Sequence, residues 1–125
     1  LNILNPLETF LEIIYEALED EAYFFFENID LLLEKARYFI YQFLDRTEVE
    51  GEQALHMIVR SLTVFYNFLQ EEKVVSQDHY NRVAEQLNLI KTEFSAKLEQ
   101  YYRICDDFTI DADEKEERVY ELFGI

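Results

Sequence analysis

The sequence predicts an all-α protein, an antiparallel helical bundle of three long helices plus a short C-terminal helix. Apolar residues recur every three or four positions along most of the chain, which is the spacing of one helix face. The 125 residues include only two Gly and one Pro, too few for the many turns of a β fold. Half of the residues are hydrophobic, enough for the core of a single domain over 1–125.

The first helix is predicted over about residues 6–46. Asn5 is a favourable N-cap and Pro6 suits the first helical turn. No further Gly or Pro occurs before Arg46, and the apolar positions keep a mean spacing of about 3.6 residues. These positions are Leu7, Leu11, Ile14, Leu18, Ala22, Phe25, Ile29, Leu32, Ala36, Phe39 and Phe43. Because the phase is unbroken, one continuous helix is favoured over two, with a kink near Asn28 as the alternative.

Three more helices are predicted over about 52–73, 76–106 and 111–123. Thr47 to Glu50 forms a capping-box pattern before the first of these, Ser76 begins the next, and Asp111 begins the last. A short connection between two long apolar seams predicts that the second and third helices are antiparallel neighbours. Cys105 lies on the apolar stripe of the third helix, so a buried and unreactive thiol is expected.

The charge balance excludes some classes of protein. The chain has 11 Lys and Arg against 27 Asp and Glu, a net charge of −16. Direct nucleic-acid binding is not expected, because phosphate contacts need a basic surface. No apolar run reaches the roughly 18 residues of a membrane span, and the first residues lack the basic start of a signal peptide. The sequence therefore predicts a cytoplasmic protein without membrane contact.

A stripe of carboxylates is predicted on the first helix. Residues 1–34 hold nine acids and no base. At about 100° per residue, eight of the nine share one third of the helix circumference, opposite the apolar side. These eight form the acidic stripe: Glu8, Glu12, Glu16, Glu19, Asp20, Glu27, Asp30 and Glu34. Two interpretations stay open, a solvated face and a docking surface for a basic protein partner.

The same helix has more apolar surface than one core requires. Between residues 22 and 44, 16 of 23 residues are apolar, whereas a helix facing a single core needs about three in seven. Either this helix is central and surrounded, or part of it is an interface. Tyr23 and Tyr41 lie on the acidic side of the helical wheel, so both are predicted interface residues. A homo-oligomer or a groove for a partner follows from this second alternative.

The usual signatures of catalysis and cofactor binding are missing from the sequence. A di-iron bundle needs Glu-x-x-His on two helices, but neither His56 nor His79 has Glu three residues earlier. A calcium loop beginning at Asp107 fails, since its sixth position is Ala112 and its twelfth is Arg118. Two glycines cannot build a phosphate-binding loop. No catalytic residue, cofactor or metal site is therefore predicted.

Taken together, these observations predict a non-enzymatic interaction protein such as an adaptor, assembly factor or chaperone-like subunit. It would present the acidic stripe, with Tyr23 and Tyr41, to a basic protein partner or to itself. One alternative is an inhibitor that imitates nucleic acid and occupies the basic groove of a DNA- or RNA-binding protein. Another is a helical-bundle enzyme with a carboxylate-bound Mg²⁺.

Overall fold

The computed structural model is an all-α bundle, as predicted. It describes residues 28–125 together with Glu8 and Glu12, both of which are helical. Within 28–125 there are four helices and no strand: α1 (Ile29–Arg46), α2 (Gly51–Glu71), α3 (Gln77–Cys105) and α4 (Ala112–Phe123). Three helices are long and the C-terminal one is short, which confirms the predicted fold class.

Asn28 is not helical and α1 begins at Ile29. The favoured prediction of one continuous helix over 6–46 is therefore wrong at Asn28, where the alternative prediction is a kink. The Asn28 side-chain oxygen accepts a hydrogen bond from the Asp30 backbone N–H at 3.0 Å. An Asn side chain that bonds the backbone two residues ahead favours a helix start over a helix interior. The predicted start at Asn5 and Pro6 lies outside the described residues.

The other helix starts follow from single side chains that accept backbone hydrogen bonds. Ser76 caps α3 by accepting from the His79 N–H at 3.0 Å, and Asp111 caps α4 by accepting from the Glu114 N–H at 2.8 Å. Both caps were predicted. The cap of α2 is Glu50, which accepts from the N–H groups of residues 52 and 53, whereas Thr47 bonds locally to Val49.

Contacts between the helices define an up-down-up-down bundle. At opposite ends of the α2–α3 pair, the Gly51 N–H donates to the Tyr102 hydroxyl at 2.9 Å, and Tyr66 packs on His79. These two helices are therefore antiparallel. Helix α1 runs parallel to α3, because Arg37 pairs with Glu93 and Asp45 with Tyr101. Helix α4 folds back antiparallel to α3, with Lys115 near Cys105 and Phe123 on Phe94.

Helix α1 contacts each of the other three described helices. Over residues 36–44 its buried side chains cover more than half of the circumference: Ala36, Phe39, Ile40, Tyr41, Phe43 and Leu44. The other three helices supply the surrounding surface. The excess of apolar residues could reflect either a surrounded helix or an interface. For residues 36–44, burial within the chain explains it.

Two predictions about single side chains are wrong. Tyr41, predicted at an interface, is 7% exposed and packs against Tyr101, Tyr120 and Phe123. It is buried because α4 covers the side of α1 that the helical wheel leaves open. Cys105, predicted to be buried, is exposed, since it is the last residue of α3, beyond the buried seam that ends at Tyr101.

Candidate functional site

The structure describes five of the ten predicted partner-binding residues. Glu8, Glu12, Asp30 and Glu34 are exposed, as a docking surface requires. Tyr41 is in the core and is not available to a partner. Glu16, Glu19, Asp20, Tyr23 and Glu27 lie outside the described residues. Because Asn28 is not helical, one helical wheel cannot describe both the acids before Asn28 and the acids of α1. The wheel therefore does not show whether the two groups face the same side.

A larger group of carboxylates lies at one end of the bundle, where α1 and α3 finish and α2 and α4 begin. We call this surface the acidic end. Its exposed carboxylates are Asp45, Glu48, Glu50, Asp106, Asp111, Asp113, Glu114, Glu116 and Glu117. Few of them have a cationic partner; Glu114, which lies 2.8 Å from Arg118, is one that does. The acidic end is therefore a region of negative potential that is open to solvent.

Phe108 projects from the acidic end. It lies in the α3–α4 connection, and its side chain is 92% exposed. Asp107 orders this connection by accepting hydrogen bonds from the Thr109 hydroxyl and from the Thr109 N–H, the latter at 2.9 Å. The bond from the hydroxyl, followed by that from the N–H, lowers the Asp107 pKa. Lys115 lies over the Phe108 ring, 5.4 Å from its centroid. A large exposed aromatic among carboxylates is typical of a contact point rather than of a solvated loop.

Three buried or half-buried tyrosines lie directly beneath the acidic end. Burial is the main reason that the pKa values of Tyr41 and Tyr101 are raised, and the Asp45 carboxylate raises both further. Tyr101 donates its hydroxyl hydrogen to Asp45 at 3.1 Å. Burial and then Glu116 raise the pKa of Tyr120. These phenols stay protonated at neutral pH, so they act as hydrogen-bond donors and not as general bases.

A second surface has the opposite charge, and sequence reasoning missed it. On the outer side of the α2–α3 pair, a groove is lined by His56, Arg60 and Lys91, with Val59, Thr63, Val64 and Asn88 as the other walls. We call it the basic groove. Its three hydrogen-bonding side chains are up to 35 positions apart in the chain, so only the antiparallel register of the two helices brings them together. No local motif could have revealed it.

Two features bear on catalysis, the capacity of the chain to hold a metal ion and the shifted pKa values of His79 and Cys105. Among the described residues, no group of three or more His, Cys, Asp and Glu side chains is placed to hold a metal ion. Burial, followed by the charge of Arg82, lowers the pKa of His79, which packs on Tyr66. Burial raises the pKa of the Cys105 thiol, and a thiol is a poorer nucleophile than a thiolate.

Comparison with known protein families, with curated proteins and with solved structures finds no match to this chain. None of the helices in the described part of the chain is both long and apolar enough to span a lipid bilayer. The chemistry of the two charged surfaces is therefore the basis for a functional conclusion.

Proposed function

We propose that the protein is a non-enzymatic interaction protein that docks on a basic protein surface. The observation that carries this proposal is the combination of Phe108, 92% exposed, with the surrounding carboxylates of the acidic end. Interfaces are enriched in aromatic anchors, and complementary charge around an anchor speeds association and sets orientation. The exposed acids Asp30 and Glu34 of the predicted acidic stripe lie near the start of α1, toward the other end of the bundle, so they would form a separate negative surface.

The contributions of the two kinds of contact differ. Phe108 would supply affinity by moving apolar surface from water into a pocket of the partner. Rim carboxylates such as Glu48 and Glu117 would act mainly on the association rate, and that effect weakens as salt screens the charges. A protein that docks on another protein needs a rigid surface more than a cavity. The hydrogen bonds accepted by Asp107 order the loop that carries Phe108, so this requirement is met.

The experiment has two stages. A binding protein is first recovered with the tagged full chain and identified, then purified, and its dissociation constant is measured by calorimetry. Phe108→Ala is expected to weaken binding at least about tenfold, the loss typical of an aromatic anchor. The triple variant Glu48→Gln, Asp113→Asn, Glu117→Gln is expected to slow association and flatten its salt dependence.

A matched triple variant, Glu71→Gln, Glu72→Gln, Glu85→Gln, removes the same charge from exposed positions away from the acidic end and should bind like the parent. A further variant that neutralises Glu8, Glu12, Asp30 and Glu34 tests the acidic stripe separately. Equal affinity of the parent and Phe108→Ala, with an unchanged salt response of the first triple variant, would rule the proposal out. If DNA or RNA displaces the chain from its partner, the nucleic-acid-mimic alternative replaces it.

A further inference from the structure

The basic groove brings together two cations, Arg60 and Lys91, that have no carboxylate partner among the residues that the structure describes. All eleven Lys and Arg residues of the chain are described. Ion pairs hold many of them, including Arg37 with Glu93 and Arg103 with Glu99. Within the described part of the chain, Arg60 and Lys91 have no ion pair with a carboxylate. In a chain with a net charge of −16, this leaves a local site that attracts anions.

His56 adds a third donor to the groove. The Lys91 ammonium lies 3.2 Å from His56 Nδ1. An ammonium group only donates, so Nδ1 is the acceptor in this contact and the ring hydrogen is on Nε2. The groove therefore offers the Arg60 guanidinium, the Lys91 ammonium and the His56 Nε2–H, a set that suits carboxylate oxygens.

The shape of the groove favours a protein segment over a small molecule. Its volume is about 220 Å³, below the roughly 300–1,000 Å³ of small-molecule pockets. Val64, which is 49% exposed, lies beside the cations as apolar surface. An occupant with both carboxylates and an apolar side chain would match the charge and the apolar surface together.

The chain itself carries such a segment in residues 106–113 of the acidic end. Asp106 and Asp113 are exposed, and Phe108 between them is 92% exposed. Lys91 lies within α3 and Asp106 directly follows this helix. At 1.5 Å per helical residue, the two residues are about 22 Å apart along the helix axis. This distance prevents the segment from reaching the basic groove of its own chain. We infer that the basic groove of one copy binds residues 106–113 of a second copy.

This inference rests on the proposed function, because it identifies the partner of the acidic end as a second copy of the chain. Each copy has both surfaces, so the contact is head-to-tail. Such contacts close into a ring or continue into a chain of copies, depending on the rotation between neighbours. The net negative charge opposes association at long range, but at about 0.15 M salt that repulsion is screened beyond roughly 8 Å.

The test reverses charges on each surface in turn. The mass of each protein in solution is measured by light scattering at about 0.15 M salt, which screens the long-range repulsion between copies. The groove variant is Arg60→Glu with Lys91→Glu, and the loop variant is Asp106→Lys with Asp113→Lys. The parent should associate with rising concentration. Each variant alone should be monomeric, because the groove variant has two negative surfaces and the loop variant brings the net charge of residues 106–113, which hold four Asp and no base, from −4 to zero. An equimolar mixture should associate again, since the unchanged groove of the loop variant is complementary to the unchanged residues 106–113 of the groove variant.

Lys73→Glu with Arg82→Glu is the matched control. It makes the same charge change as the groove variant at exposed cations elsewhere and should associate like the parent. A parent that is monomeric at every concentration overturns the inference, as does association of the groove variant alone or a mixture that stays monomeric. If the parent is monomeric yet Phe108→Ala still weakens binding to another purified protein, the proposed function survives and only this inference fails.

Discussion

Phe123 of α4 packs against Phe94 of α3 with ring centroids 4.3 Å apart, and both side chains are fully buried. Phe123 also contacts Tyr41 and Tyr101, so it connects α4 to both α1 and α3. A C-terminal helix of only 12 residues is marginal alone. Packing of Phe123 is therefore one of the contacts that hold α4 in place, together with the buried Val119 and the contacts of Tyr120.

Replacing Phe123 with Ala should destabilise the protein by about 3–5 kcal/mol, the usual cost of emptying a buried Phe site. Urea unfolding followed by circular dichroism measures this free energy. Phe108→Ala is the matched control, because it makes the same substitution at a 92% exposed position; it should change stability by less than about 0.5 kcal/mol. Similar losses in the two variants would contradict the docked position of α4.

A polar cluster next to Phe123 gives the stability a pH dependence. Glu93 lies 2.5 Å from Arg37 and 3.1 Å from Lys97, while Arg37 and Lys97 also donate to the carbonyl oxygens of Phe123 and Leu122. The hydrogen bond from Arg37, followed by that from Lys97, lowers the Glu93 pKa below its ordinary value of 4.5. A lowered folded-state pKa stabilises the fold above the unfolded-state value, and this contribution is lost as pH falls through the folded-state value.

Glu93→Gln should therefore cost about 1 kcal/mol at pH 7, since the cluster is one third exposed and partly screened. The difference from the parent should shrink as the pH falls below 4.5 toward the lowered pKa of Glu93. Urea unfolding at a series of pH values measures it. Glu99→Gln, which removes an exposed partner of Arg103, should show a smaller and flatter difference. A Glu93→Gln difference that is constant with pH would disagree with this account.

The features that sequence could predict are those set by neighbours along the chain. Helical spacing and caps such as Ser76 and Asp111 are local, and the structure has both caps in place. The interruption at Asn28 was harder to predict, because the spacing of apolar residues continues unchanged through this position. The hydrogen bond from the Asp30 N–H to the Asn28 side chain favours a helix start there despite that spacing. The basic groove depends on the register between α2 and α3, which no single segment encodes.

Tyr41 illustrates the limit of a helical wheel. A wheel separates one apolar side from one polar side. Helix α1 packs against α2 and α3, and its Tyr38 and Tyr41 also contact Tyr120 of α4, so it has less outer surface than a wheel assumes. Tyr41→Ala is consequently expected to destabilise the fold by about 3 kcal/mol, as truncation of a buried aromatic does, rather than to weaken association selectively. Phe39→Ala, at a 1% exposed position, should lose a similar amount. Urea unfolding of the two variants tests this, and a Tyr41→Ala protein as stable as the parent would restore the interface assignment.

The last prediction concerns the close approach of α2 and α3 at Gly51. The Gly51 N–H donates to the Tyr102 hydroxyl at 2.9 Å, and a Cβ at this position would collide with that hydroxyl and press on Leu98. Gly51→Ala should therefore cost about 1–3 kcal/mol, as overpacking does, despite the better helix propensity of Ala. Tyr102→Phe should cost about 1 kcal/mol for the lost hydrogen bond.

The double variant decides whether the two residues act through this contact. Removing the hydroxyl makes room for the methyl group, so Gly51→Ala with Tyr102→Phe should cost less than the sum of the two single variants, with a coupling of at least about 0.5 kcal/mol. Urea unfolding of all four proteins completes the cycle. Additive losses would mean that the methyl group is opposed by Leu98 alone, and that the hydroxyl of Tyr102 does not limit how closely α2 and α3 approach.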